Sequence, residues 1–220
     1  MSIDESREIK GECRIDYTSI EVDSFTEDKK FNNTQRGVLS IPSQKTLKRE
    51  RLSMFQIRIH GRGGQGVVTA AEMLALAGFM EKHYAQSFPS FGSERTGAPV
   101  VAFARLAEKA IRLREPVLEP DVVLIQDRTL LDSVNVFDGL KPTGYVLINT
   151  DKSYMDLGLE DLVARLPQGH FVTVPATRFA LEKLGRPLPG AGMLAGMAAM
   201  TGLFKLDSVI AAYNAKFAGR

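Results

Sequence analysis

The chain of 220 residues contains one cysteine, no tryptophan and three histidines. A single thiol, Cys13, excludes an internal disulfide framework and points to a reducing compartment. It also excludes an iron–sulfur cluster held by this chain alone, since such a cluster takes about four thiolates. His60, His83 and His170 lack the spacing of a ligand set, so no metal site is expected. Long apolar runs are missing too. The longest uncharged one, Gly190–Gly202, is broken by glycines and falls well short of the roughly 20 residues of a membrane span. Met1–Lys30 is polar and acid-rich, with no apolar stretch of the kind a secretory signal carries. Nor is there an excess of either charge: 28 basic against 26 acidic residues leaves a net charge of +2. Neither nucleic acid nor an acidic membrane is therefore expected as a partner, and a cytoplasmic location is.

What is present divides near Met54. Residues 1–53 hold ten basic and ten acidic residues, few large apolar side chains and no sustained period. They read as an extended N-terminal arm without a core of its own, suited to wrapping a partner chain. From residue 54 to 220, strand and helix signals alternate. Phe55–His60 is a strand and Gln65–Met80 an Ala- and Leu-rich helix. Tyr84–Ser87 is a short strand, followed by a Pro- and Gly-punctuated loop, Phe88–Gly97. Ala98–Arg105 and Ala110–Arg114 form a hairpin turning at Ala107–Lys109. Asp121–Gln126, Tyr145–Asn149 and Phe171–Val174 are apolar strands. Asp127–Val134, Leu159–Leu166, Ala176–Leu184, Ala191–Thr201 and Asp207–Phe217 are helices, with Pro175 opening one and Gly185 closing it. Continuous apolar strands separated by helices imply an α/β fold. The expected form is a mostly parallel, Rossmann-like sheet with helices on both faces and an edge hairpin.

The sharpest motif is Gly61-Arg62-Gly63-Gly64-Gln65-Gly66, between the first strand and the first helix. Glycines let the backbone turn and approach a ligand closely, and free N–H groups at the helix start attract an anion. Arg62 adds positive charge and Gln65 a donor and an acceptor. A dinucleotide site would also need an acidic residue about 20 positions on. His83–Phe88 contains none, which counts against NAD, and the absence of G-K-[ST] excludes a nucleotide-hydrolysing P-loop. A second loop, Phe88–Pro99, lies at the carboxyl side of the second strand. It would bring Ser93 and Arg95 towards Arg62, so the cofactor-binding candidates are Gly61, Arg62, Gly63, Gly64, Gln65, Gly66, Ser93 and Arg95. The same features also fit tight strand–helix packing, a surface ion pair between Glu94 and Arg95, and aromatic interface anchors.

Other residues point to structure. Arg112 and Arg114 alternate with Ile111 and Leu113 along an edge strand. Asp121, Asp127 and Asp132 read as caps. Met193, Met197 and Met200, with Leu194 and Leu203, recur at helical spacing and read as core. No Ser-His-Asp, Cys-His or paired-carboxylate set can be assembled, so no catalytic residue is assigned.

Ile57–Ala77 (IRIHGRGGQGVVTAAEMLALA) followed by Tyr84–Leu106 (YAQSFPSFGSERTGAPVVAFARL) resembles the gamma subunit of pyruvate:ferredoxin oxidoreductase and related 2-oxoacid:acceptor oxidoreductases. Ile111–Leu131 and Leu184–Pro187 continue the likeness, which covers about 160 residues from Met54 onward and leaves out the arm. The resemblance implies a complex that converts a 2-oxoacid such as pyruvate oxidatively to an acyl-CoA. Its thiamine diphosphate, Mg2+ and iron–sulfur clusters would lie on alpha, beta and delta-type subunits, with ferredoxin or another acceptor taking the electrons. No G-D-G thiamine motif followed by paired Asn is found in this chain, and its one cysteine agrees. The gamma chain is an α/β domain linked by analogy to coenzyme A, whose phosphates suit the Gly61–Gly66 loop. Two alternatives remain: a purely structural assembly subunit, and the gamma chain of an aryl-glyoxylate or other 2-oxoacid enzyme.

Overall fold

A computed structural model describes residues 54–90 and 96–217. The arm, Ser93 and Arg95 lie outside these residues. In chain order the elements are β1 (Phe55–Arg62), α1 (Val67–Met80), β2 (Tyr84–Ser90), β3 (Pro99–Ala107), β4 (Val122–Ile125) and a 3-10 turn (Arg128–Asp132). They continue with β5 (Tyr145–Asn149), α2 (Glu160–Arg165), β6 (Phe171–Val174), α3 (Ala176–Leu184), α4 (Gly190–Thr201) and α5 (Leu206–Phe217).

The six strands form one sheet in the order β2-β3-β1-β4-β5-β6. β1, β4, β5 and β6 run parallel, and β3 is antiparallel to both β1 and β2. This is the expected mostly parallel α/β sheet, with two corrections. The edge hairpin is β2–β3, with Tyr84 opposite Ala107 and Ser90 opposite Val101. Ala110–Arg114 is not a strand; it belongs to an irregular segment leading towards β4. Phe88–Ser90, expected in a loop, extends β2 instead. β3 thereby separates β2 from β1.

Period-2 alternation assigns the faces. Ile57 and Ile59 of β1, Ala102, Ala104 and Leu106 of β3, Val122 and Leu124 of β4 and Leu147 of β5 meet the larger core. α1, α4 and α5 complete it with Leu74, Ala77, Met193, Leu194, Met197, Val209 and Ala212. Met200 and Leu203 pack against it, so the methionine pattern is core as expected. On the opposite face Val123, Ile125, Val146 and Ile148 pack beneath Leu130, Val136, Leu159, Leu162 and Leu166. Among the described residues, helical cover there is only the 3-10 turn and the six-residue α2. Under β1 and β3 this face is mixed, carrying buried Arg58, His60 and Arg105 beside Phe103. Asp121 closes the amino edge between the halves, accepting from the Gln56 amide (2.8 Å) and Lys141 Nζ (2.8 Å).

Candidate functional site

Adjacent strands β1 and β4 leave the sheet in opposite directions, β1 towards β2 and β3, β4 towards β5 and β6. Ligand crevices in open α/β sheets lie outside the carboxyl ends of strands at such a point. The glycine loop sits there. β1 continues through Arg62, and α1 begins at Val67, so Gln65 and Gly66 belong to the turn rather than to the helix.

Glycine is needed here for two reasons. A Cβ on Gly61 would come 2.5 Å from Val67 Cγ2, and Gly64 and Gly66 take φ values of 93° and 75°. Both are left-handed conformations that cost an ordinary residue about 1–2 kcal/mol. The Gly63 amide is not free: it donates to Ala98 O at 2.9 Å, and Gly97 N donates back to Gly63 O at 3.2 Å. This extends the β1–β3 pairing into the loop.

The amides beyond it form the start of α1. Gly66 is the N-cap without a side-chain bond, no acidic residue occupies the first turn, and the ladder begins with Ala70 N donating to Gly66 O at 2.8 Å. The Val67, Val68 and Thr69 amides precede that ladder, at the positive end of the helix dipole. Val67, Val68 and Thr69 border an open depression of about 490 Å³ whose wall also includes Arg62, Gly63, Gly64, Gly66, Thr96 and Val100. An anion fits this wall.

Arg62 is already engaged. Its Nε donates to Thr129 Oγ1 (3.1 Å), its two terminal nitrogens donate to Gly97 O (3.0 Å) and Thr129 Oγ1 (2.7 Å), and Nε lies 3.4 Å from Asp127 Oδ2. Gln65 links loop to strand end: its Oε1 accepts from the Arg62 amide at 2.8 Å and its Nε2 donates to Asp127 Oδ2 at 2.7 Å. Asp127 Oδ1 accepts from the Thr129 amide (2.9 Å) and hydroxyl (2.6 Å), which makes it the cap expected of it. Burial pushes the Asp127 carboxyl up, but hydrogen bonds from Thr129 and Gln65 and the charge of Arg62 outweigh it and hold the group below its usual range.

Of the sequence candidates, Gly61, Arg62, Gly63, Gly64, Gln65 and Gly66 thus come together, while Ser93 and Arg95 lie outside the described residues. The partnership of Asp127 and Thr129 with the loop was not read from the sequence. It depends on β1 lying beside β4, and its one local signal was a capping Asp-x-Thr directly after an apolar strand. Among the described residues no group of His, Cys, Asp or Glu is arranged as a metal centre, and no helix is long and apolar enough to cross a membrane.

Residues 56–220 match the family described as pyruvate ferredoxin/flavodoxin oxidoreductase. The "Pyruvate/ketoisovalerate oxidoreductases common subunit gamma" of Thermococcus kodakarensis is 49% identical over 166 residues, 76% of this chain and 88% of that one. The "Pyruvate synthase subunit PorC" of Methanocaldococcus jannaschii is 47% identical over 167 residues, again 76% and 88%. Among solved structures, the pyruvate oxidoreductase subunit PORC of Thermotoga maritima superposes with a TM-score of 0.63 at 35% identity, covering 75% of this chain and 86% of that one. Fold, glycine loop and sequence therefore agree: the chain belongs to the pyruvate ferredoxin/flavodoxin oxidoreductase family, as a chain of its gamma-subunit type.

Proposed function

We propose that this chain works within a cytoplasmic, multi-subunit 2-oxoacid:ferredoxin oxidoreductase and that it holds coenzyme A for the complex. The supporting observation is the uncapped N-terminus of α1, opening on a depression of about 490 Å³ walled on one side by Arg62. Free amides and a guanidinium suit the phosphates of coenzyme A. When bound, coenzyme A supplies the thiol that accepts the acyl group. Arg62 and the Val67–Thr69 amides fix the phosphate end, which limits where that thiol can reach; the contribution is position, not proton transfer. Thiamine diphosphate, Mg2+ and the iron–sulfur clusters are assigned to alpha, beta and delta-type partner chains, and residues 1–53 to gripping one of those chains. The relative from Thermococcus kodakarensis is named as common to pyruvate and ketoisovalerate oxidoreductases, which favours placing the choice of 2-oxoacid on other chains.

A second reading is an assembly subunit without a ligand. It is favoured by the bonds Arg62 already makes to Thr129 and Gly97 and by the ion pair with Asp127. Substituting Arg62 separates the two. Charge-assisted hydrogen bonds contribute about 1.5–3 kcal/mol and each 1.4 kcal/mol is about tenfold in affinity. In the purified complex, Arg62→Ala should raise KM for coenzyme A about tenfold and leave 2-oxoacid decarboxylation and subunit composition intact, with Arg95→Ala acting in the same direction. Unchanged coenzyme A dependence in both variants would leave the assembly reading standing.

A further inference from the structure

The 3-10 turn after β4 contacts the loop after β1 through a closed set of polar contacts. The Thr129 hydroxyl accepts two N–H bonds from Arg62, at 3.1 and 2.7 Å, and donates its only proton to Asp127 Oδ1 at 2.6 Å. A hydroxyl has one donor and two lone pairs, so its capacity is filled and its direction fixed. An Arg–carboxylate pair alone would leave the guanidinium free to pivot about Nε. Here Asp127 is itself held by the Thr129 amide and by Gln65 Nε2, and Gln65 Oε1 holds the Arg62 amide. Of the five N–H bonds of Arg62, one on Nε and one on each terminal nitrogen are used. One N–H on each terminal nitrogen remains to donate to an oxyanion. Arg62 also lines the depression at the start of α1.

We infer that Thr129 and Asp127 are positioning residues for phosphate recognition: they do not touch the ligand, but lock Arg62 so that its remaining N–H groups serve the depression at the start of α1. The inference rests on the coenzyme A reading proposed above, and names two residues outside the glycine motif that set the affinity of that site. Thr129 is exposed and lies at the edge of the fold, so its substitution leaves both cores untouched.

The test is coenzyme A binding measured by calorimetry on the intact complex, purified through a tag on this chain, beside native Kd and melting temperature. Thr129→Val keeps the shape and removes the hydroxyl; it should weaken coenzyme A about tenfold with the melting temperature unchanged. Thr129→Ser restores the hydroxyl and should bind within about twofold of native, a rescue that a packing role would not give. Arg62→Ala should weaken binding at least as much as Thr129→Val, and the double variant no further than Arg62→Ala alone, because coupled residues are non-additive. If Thr129→Val fails to assemble, Thr129→Ala and Thr129→Ser make the same comparison. Native affinity in Thr129→Val with a loss in Arg62→Ala overturns the positioning role and leaves the loop reading intact. Full additivity of the two losses also overturns it. Native affinity in Arg62→Ala overturns the loop reading itself.

Discussion

The two halves of the sheet solve the same burial problem with different chemistry. In the β4–β5 half every residue of Val122–Ile125 is buried, and the two faces feed two separate apolar cores. In the β1–β3 half one face is apolar and the other is mixed. The mixed face buries Arg58 and Arg105, and their bonds run mainly to backbone carbonyls. Arg58 donates to Val117 O (3.4 Å), Val136 O (3.1 Å) and Asp138 O. Arg105 donates to Glu115 O at 2.6 Å and to Gln56 Oε1 at 3.1 Å, and lies 5.1 Å from the Phe88 ring centroid. Burial lowers the pKa of both guanidinium groups, with Asp138 and Glu115 opposing. A helix cannot offer such carbonyls, because its own ladder uses them; an irregular segment can. Among the described residues the arginines of the polar half are thus met by irregular segments, at Glu115 and Val117 and at Val136 and Asp138, instead of by a helix. The glycine loop stands at the seam between the halves, clipped by Gly63 to Gly97 and Ala98 just before β3 and by Gln65 to Asp127 just after β4.

Three changes break or sharpen this contrast. The largest effect belongs to the apolar half: Leu147→Ala leaves a cavity under α4 and should cost about 4 kcal/mol in chemical unfolding of the isolated chain. Next, Arg58→Met should cost about 3 kcal/mol, since it strips three carbonyls of their donor while removing a desolvated charge. A gain in stability would mean that the carbonyl contacts do not hold the polar half together. The smallest effect is one of pH. His60 is buried, and burial first, with Arg58 second, lowers its pKa to about 4. Between that value and the ordinary 6.5 the unfolded chain binds the extra proton, so stability is full above 6.5 and falls as pH drops. From pH 7 to 5 the loss from this group should be about 2 kcal/mol. His60→Gln should flatten that part of the profile, and an unchanged slope would place the titration elsewhere.

The apolar half was also the half most legible in the sequence. Phe171–Val174 and Ala176–Leu184 match the observed strand and helix residue for residue, because a continuous apolar run or a Pro start and Gly stop is a local signal. The polar half was not so legible. Alternation of Ile111 and Leu113 with arginines suggested a strand, but alternation is equally consistent with extended coil. What decides between them is where the carbonyls of this stretch bond, and Glu115 O and Val117 O serve arginines on distant strands. The same limit applies to the site. Glycines announced the loop from spacing alone, whereas the clamp of Arg62 by Thr129 and Asp127 joins residues 67 positions apart and requires the strand order.

Electron cryomicroscopy of the intact complex with coenzyme A tests most directly whether the start of α1 holds the phosphates of coenzyme A. Phosphate oxygens are expected within roughly 2.7–3.2 Å of the Val67–Thr69 amides and of the Arg62 terminal nitrogens, with Arg62 still bonded to Thr129. Coenzyme A bound away from the glycine loop, with the depression filled by another subunit's side chains, would contradict that placement.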